Sequence, residues 1–305
     1  MPSVSSIEEA SALLAAAHGE GRRLRIGDDL TAEGLDRVLE HDPGDLTCTV
    51  EAGVRLSELR STLSGSGQRL SLDPPGDPTI GALLAKNLSG PLRHRFGAPR
   101  DLVLGATLVL GDGTIASSGG KVVKNVAGYD LARLVCGSRG RLAFIARASF
   151  RLHPLPKAAR TLVVETDDTA TVAATLLGSQ LQPSALDVLH PGRVAVLFEG
   201  SERAVAAQLA SVQALVGGRE TDLSVWDESR TRQREARGRV RFAPRELKDV
   251  LVDTPEAIAR PSAGVAFTRD PSTSNDRLQS GLADGVSVLL ERVARELDPQ
   301  GVLAA

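Results

Sequence analysis

DPPGDPTIGALLAKNLSGPLRHRFGAPRDLVLGATLVLGDGTIASSGGKVVKNVAGYDLARLVCGS, residues 73–138, is the stretch whose reading decides the fold. It opens with Asp73-Pro74-Pro75-Gly76-Asp77-Pro78-Thr79-Ile80-Gly81. The prolines fix an extended approach, Asp77 and Thr79 supply caps, and Gly81 falls in the first turn of a helix predicted around 80–88. Such a helix start presents free backbone N–H groups, a physical site for an anionic phosphate; a plain capped helix between turns is the other reading. Asn87-Leu88-Ser89-Gly90-Pro91 then brings a turn of small residues close to whatever is bound.

Further along, the apolar run 102–110 enters Gly111-Asp112-Gly113, which reads as the tight turn of a hairpin with its return strand near 114–117. Gly111, Gly113 and Ala116 imitate a dinucleotide fingerprint, but no helix follows them, so a doubly wound dinucleotide fold is excluded. The segment from Gly119 to Leu131 holds the only tyrosine, Tyr129, and two of the five lysines. Gly137-Ser138-Arg139-Gly140 adds a second glycine-rich turn after a short helix, a pairing that permits close backbone approach to a flat ligand.

Working outward, Ser6 and Glu9 fit a capping box ahead of a helix with apolar residues at Ile7, Ala10, Leu13 and Leu14, stopped by Gly19 and Gly21. Strands are predicted at 22–26, 46–50 and 142–152, and a helix at 56–63. The order of strands, hairpins and helices gives an α+β or α/β first part. His153-Pro154-Leu155-Pro156-Lys157 is the linker candidate, because two prolines end the strand and stiffen the connection. Beyond it, strands at 161–165, 185–189, 194–198 and 264–268 alternate with helices at 169–177 and 204–216, predicting a compact sheet with helices on one face. The polar stretch 227–248, with eight basic and four acidic residues, reads as a solvated helix and loop or a docking surface. A tail helix is predicted at 286–297. Two domains result, 1–156 and 157–305.

Several functions are excluded by composition and motif. With 42% hydrophobic and 24% charged residues over 305 positions the chain is an ordinary globular protein, and a net charge of −2 gives no global drive toward nucleic acid. No apolar run is long enough for a transmembrane segment, and the opening MPSVSSIEEA lacks the layout of a signal peptide. Cys48 and Cys136 read as a pair of buried thiols, in keeping with a cytoplasmic protein, with a disulfide as the other reading. Lys121 is followed by Val122 where a phosphate loop needs Ser or Thr, and Gly65-Ser66-Gly67 lacks the frame of a nucleophile elbow. The five histidines are dispersed, with no convincing metal-ligand spacing.

Taken together, the 73–138 run resembles the FAD-binding oxidoreductases of the vanillyl-alcohol oxidase (PCMH-type) family, and within it the FAD-binding E subunits of bacterial glycolate oxidases. The resemblance covers roughly residues 1–156, and Asp298-Pro299-Gln300-Gly301 is similar to the family's closing segment. It implies an α+β fold: a PCMH-type domain of two subdomains gripping an extended, non-covalent FAD, followed by a smaller cap domain. The Thr79-Ile80-Gly81 backbone would hold the pyrophosphate, with Pro75, Asn87, Ser89 and Gly90 along the ribityl and isoalloxazine side. Arg95, Phe96 and Gly97 match a family position read as basic or polar, Tyr, Gly. Gly140 and Ile145 would touch the adenosine end, and Lys124, Asn125, Gly128 and Tyr129 match a signature that is scaffold as much as contact.

The resemblance further implies hydride transfer from a small 2-hydroxy acid to FAD, with electrons leaving through a larger FAD-linked oxidase subunit and an iron–sulfur subunit. A degenerate assembly subunit without catalysis is the alternative. Arg25-Ile26-Gly27-Asp28-Asp29-Leu30 stands where the family has a glycine-rich loop, and two carboxylates beside a diphosphate are unfavourable unless they point away. Arg139 and Arg141 depart from the family's next glycine motif, and no His-rich catalytic segment lies between 160 and 305. These departures predict weakened FAD binding and weigh against catalysis by the chain alone. His94, the one histidine near the implied site, lies outside the loop where covalent flavin links form.

Overall fold

The computed structural model describes residues 3–120, 130–274 and 284–304. The opening helix α1 (Ile7–Glu20) is capped by Ser6, whose Oγ accepts the Glu9 N–H at 3.1 Å. Glu9 turns back to the N–H and hydroxyl of Ser5 at 2.8 and 3.0 Å instead of closing the reciprocal half of a box on Ser6. Gly19 lies within the helix, and Gly21 ends it at φ 61°, a left-handed conformation that glycine adopts at little cost.

The first sheet draws on β2 (Val38–Asp42), β3 (Thr47–Glu51), β5 (Val103–Val109), β6 (Ile115–Gly119) and β7 (Phe144–Arg151) in the order β2-β3-β7-β5-β6, antiparallel throughout. The predicted GDG hairpin is the β5–β6 turn, with Gly113 at φ 87°. Two short strands, β1 (Leu24–Arg25) and β4 (Gln68–Arg69), lie outside this sheet, and β4 pairs with β8 (His153–Pro154) in the predicted linker. One face of the sheet buries α2 (Leu56–Ser64) and α3 (Ile80–Ala85) through Leu56, Leu59, Leu63, Ile80 and Leu84, packed with Val50, Leu108 and Phe150. The other face packs Val109, Phe144 and Ala146 on Leu14 of α1. Short turns α4 (Arg93–Phe96), α5 (Pro99–Leu102) and α6 (Leu131–Leu134) connect the strands.

The second sheet has seven antiparallel strands: β9 (Ala158–Glu165), β10 (Ala185–His190), β11 (Arg193–Gly200), β12 (Arg219–Thr221), β13 (Gly238–Arg241), β14 (Ala257–Arg260) and β15 (Val265–Thr268), in the order β12-β9-β11-β10-β14-β15-β13. Strands β9 to β11 are apolar on both faces, so both need cover. On one face α7 (Thr169–Leu177), α8 (Glu202–Val216) and α10 (Leu247–Asp253) bury Leu162, Leu186, Val196 and Phe198. The other face, left open in the sequence reading, is covered by α9 (Ser224–Glu235) through Val225 and Trp226, and by Leu92 and Phe96 from the first unit. The stretch 227–248 is therefore built into the fold rather than solvated: Ser229 is buried and β13 pairs with β15.

The chain ends by crossing back. After α11 (Asp284–Leu297), the buried Asp298 carboxylate accepts the N–H groups of Val302 and Leu303 at 2.9 and 2.7 Å, and β16 (Leu303–Ala304) pairs with β1 in parallel. Among the described residues no helix is long and apolar enough to cross a membrane, and no group of three His, Cys, Asp or Glu is placed to hold a metal. Cys48 and Cys136 are free thiols, both pushed up to about 12 chiefly by burial.

Candidate functional site

A cavity of about 420 Å³ opens in the first unit between the turn after β1, the start of α3 and the loop leading into β7. The turn is drawn tight because the N–H groups of Asp28, Asp29 and Leu30 all donate to the Arg25 carbonyl. Asp29 Oδ2 accepts the Arg25 N–H at 2.9 Å, which turns that carboxylate back into its own loop. Asp28 stays on the cavity wall with Glu33, facing a site that also presents Lys86 and Arg139. The apolar part of the wall is Ile26, Leu30, Ala143 and Phe144.

Two glycines let the walls approach. A Cβ on Gly140, held at φ 83°, would stand 2.8 Å from Ile26 Cβ, so glycine alone allows the 137–140 loop to close on the β1 turn. A Cβ on Gly81 would stand 3.2 Å from both the Ala52 carbonyl and its Cβ. Thr31 lines this space, and its Oγ1 is buried with no partner among the described residues.

Of the residues singled out in the sequence, Thr79, Gly81, Gly140 and Ile145 line this cavity, and Ile80 is buried in the core beneath it. The free N–H groups anticipated at the α3 start are absent. Ile80 donates to the Val54 carbonyl at 2.9 Å, Gly81 to the Ala52 carbonyl at 2.7 Å, and Ala82 to Thr79 Oγ1 at 3.3 Å. Tethering the helix to the end of β3 consumes the donors that a phosphate would need.

The rest lie outside this cavity, with Ser89 and Phe96 on the seam between the two units. Asn87, at φ 48°, accepts the Arg100 N–H at 3.3 Å. Ser89 is buried; its Oγ accepts from Arg93 at 3.3 Å and its carbonyl accepts from Gln233 of α9 at 2.9 Å. Gly90 packs so closely on Asp73 that a Cβ would fall 1.8 Å from the Asp73 carbonyl. Phe96 meets His153 at 4.8 Å with the rings tilted by 60°, Arg69 and Arg95 lie over its ring, and Gly97, at φ 83°, leaves room for Asp101. Pro75 lines a separate cavity on the seam. Lys124, Asn125, Gly128 and Tyr129 lie outside the described residues.

The seam also gathers charges that no local pattern announced. Arg260 is buried against Asp187, Ser229 and Gln233, and Arg69 grips Glu199 across the seam at 2.7 and 2.6 Å. Asp73 is pushed up to about 7, chiefly by burial, against the pull of Arg260, the Leu92 N–H and Arg230. Burial, with Arg241 and Arg260 nearby, lowers Arg93. His94 is lowered chiefly by burial and meets Ser262 of the second unit at 2.8 Å.

Comparison with known proteins gives the cavity its meaning. The family model described as an FAD binding domain matches residues 29–119. That match marks this segment as an FAD binding domain. This FAD binding domain supplies the Leu30–Glu33 and Thr79–Lys86 walls of the cavity, where the apolar patch and the cations Lys86 and Arg139 would suit FAD and the carboxylates of Asp28 and Glu33 would not. The chain is 32% identical over 225 residues to glycolate oxidase subunit GlcE of Escherichia coli (strain K12), covering 70% of this chain and 63% of that one. It is 30% identical to the mitochondrial D-lactate dehydrogenase [cytochrome] 1 of Saccharomyces cerevisiae over 65% of this chain and 35% of the relative. With glycolate oxidase subunit GlcD of Bacillus subtilis it shares 32% identity over 59% of this chain and 41% of the relative. The chain thus spans less than two thirds of each of these relatives. Solved structures of alkyldihydroxyacetonephosphate synthase superpose with a TM-score of 0.75 over 99% of this chain and 74% of theirs, at 16% identity. The α+β fold of an FAD-binding domain followed by a second sheet is thereby shared with them.

Proposed function

We propose that the chain is the FAD-binding subunit of an oxidoreductase acting on a small 2-hydroxy acid, with a larger FAD-linked subunit and an iron–sulfur subunit as partners. The observation that carries this reading is the coincidence of the FAD binding domain with the cavity that Thr79, Gly81, Gly140 and Ile145 line. Likeness to relatives named as glycolate oxidase subunits and a D-lactate dehydrogenase supports the substrate class. The bound flavin supplies acceptance of a hydride from the substrate α-carbon. The chain's own residues would hold and shield it: Ile26, Leu30, Ala143 and Phe144 would exclude water, Thr31 would stand in the wall, and Lys86 and Arg139 would offer positive charge to the diphosphate.

In this reading residues 1–156, completed by β16, form the FAD-binding domain, and the rest forms the cap. Pro75, Ser89, Gly90, Arg95 and Phe96 then belong to the frame that docks the cap, and Ile80, Asn87 and Gly97 to the fold of the first unit, rather than acting as direct contacts. The free thiols Cys48 and Cys136 accord with a cytoplasmic setting. A second reading, an assembly subunit that has lost catalysis, draws support from Asp28 and Glu33 on the cavity wall, where a diphosphate meets like charge.

A visible spectrum before and after incubation with FAD and desalting tests the reading. Retained flavin absorbance that bleaches on adding glycolate or D-lactate is the expected result. Retained flavin that neither substrate reduces favours the assembly subunit, and a colourless protein that rejects FAD overturns the FAD-binding function.

A further inference from the structure

The seam holds a second cavity, of about 610 Å³, that shares no lining residue with the FAD cavity. Its size falls in the range of about 300–1,000 Å³ that small ligands occupy. One wall is a single stripe of α9, in which Asp227, Arg230, Thr231 and Arg234 stand at i, i+3, i+4 and i+7. The opposite wall is Arg60 of α2, Arg69 of β4 and the Asp73–Gly76 segment, over an apolar floor that includes Leu72 and Leu92.

The four arginines are not equally engaged. Arg69 is held bidentately by Glu199 at 2.7 and 2.6 Å. Arg230 pairs with Asp227 at 2.6 Å and Asp73 at 3.4 Å. Arg60 and Arg234 form no ion pair among the described residues; Arg60 donates only to the Leu72 carbonyl, at 2.7 Å. Arg60 is largely withdrawn from water, and its pKa is lowered chiefly by that burial; Asp73 and Asp77 pull it back up, and Arg230 and Arg69 push it further down. A guanidinium offers five donors in a planar fork, and a protein buries one unpaired only at a cost that an incoming oxyanion removes.

We propose that this seam cleft binds a small molecule bearing an oxyanion, a carboxylate or a phosphate, gripped by Arg60 of the first unit and Arg234 of the second. Arg69 and Arg230, already paired, shape the site, and the apolar floor takes the body of the ligand. The occupant bridges the two units, so it stiffens their contact without entering the FAD cavity.

The test is calorimetric titration of the FAD-loaded full chain, at constant ionic strength, with inorganic phosphate and separately with malonate. Saturable binding of one equivalent is expected, and the tighter probe identifies the source of the oxyanion. Arg60→Gln and Arg234→Gln should each weaken that binding tenfold or more, with flavin absorbance and unfolding midpoint retained. No saturable binding of either probe overturns the proposal, as does binding that survives either substitution. Should Arg60→Gln fail to fold, the exposed Arg234→Gln decides alone. A chain that takes up no FAD is titrated as purified; the substitutions still report on this cleft, because neither residue lines the other cavity.

Discussion

Arg260 Nε lies 3.2 Å from Asp187 Oδ1, with the two side chains only 2% and 0% exposed. The pair anchors a chain of contacts that leaves the second sheet and ends in the first unit: Arg260 donates to Gln233 Oε1 at 2.8 Å, and Gln233 Nε2 donates to the Ser89 carbonyl at 2.9 Å. A buried ion pair of this kind is worth little against an apolar replacement of both partners but much against loss of one. The relay ties the orientation of the cap to the segment that follows α3.

Arg260→Leu strands the Asp187 carboxylate, which then keeps only its hydrogen bond from Ser229. The expected loss is about 3–5 kcal/mol of unfolding free energy, read from the midpoint of a urea transition. The double substitution Arg260→Leu with Asp187→Leu should recover most of it. A single variant within about 0.5 kcal/mol of wild type, the scatter of neutral surface changes, would sink this account.

Arg69 and Glu199 form the direct charged clasp across the seam, 16% and 8% exposed. A cycle of Arg69→Met, Glu199→Gln and the double variant should give a coupling of about 1.5–3 kcal/mol, within the span of close charge pairs at interfaces. Limited proteolysis of the linker at 155–157 should accelerate in each single variant. A coupling indistinguishable from zero would mean that the seam is held without this clasp, by its apolar contacts at Leu92 and Phe96 and by polar ones such as Gln233 with Ser89 and Arg230 with Asp73.

What could be read from the sequence was what is local. The α1 cap at Ser6, the Gly111–Gly113 turn and the helix 169–177 each announce themselves within a few residues, and the structure has all three. β2, β12 and β13 gave no apolar alternation because they are polar strands, all three at sheet edges. α9 was hidden because it buries only Val225, Trp226 and Ser229 amid a run of charges. At the candidate site, Thr79, Gly81 and Gly140 were legible as motif residues. Asp187 and Arg260, 73 positions apart, were not, since nothing in either neighbourhood requires a charged partner until folding removes water.

Asp73 gives the stability profile a definite sign. Burial raises its pKa from 3.8 to about 7, so the native state holds this proton more tightly than the unfolded chain. Stability from this group is fully present below about pH 4 and is lost as pH rises through about 7, with a slope approaching about 1.4 kcal/mol per pH unit in between. The groups facing it are Arg60 of α2, Arg230 of α9, Arg260 of β14, Asp187 of β10 and the Leu92 N–H. Asp73→Asn keeps an acceptor for Leu92 and removes the titration. Urea midpoints at pH 5, 6, 7 and 8 should therefore fall less steeply in the variant; parallel profiles would place the titration elsewhere.

If FAD occupies the cavity beside the loop after β1, as proposed, that loop makes the site electrostatically frustrated, and the frustration can be measured. Asp28 on the wall opposes a diphosphate, whereas Arg139 and Lys86 attract it. All three sit near solvent, so each effect is on the order of 0.5–1 kcal/mol, a two- to fivefold change in affinity. Asp28→Asn should tighten FAD by that factor and Arg139→Gln should weaken it by the same, both read from quenching of flavin fluorescence on titration. Asp29→Asn should do less, because that carboxylate is folded back on the Arg25 N–H. Raising the salt to about 1 M, where the screening length shrinks to about 3 Å, should collapse all three differences. Should Asp28→Asn weaken FAD instead, the Asp28 carboxylate is accepting a hydrogen bond from the cofactor, and the departure from a glycine-rich loop is an adaptation of the site rather than its decay.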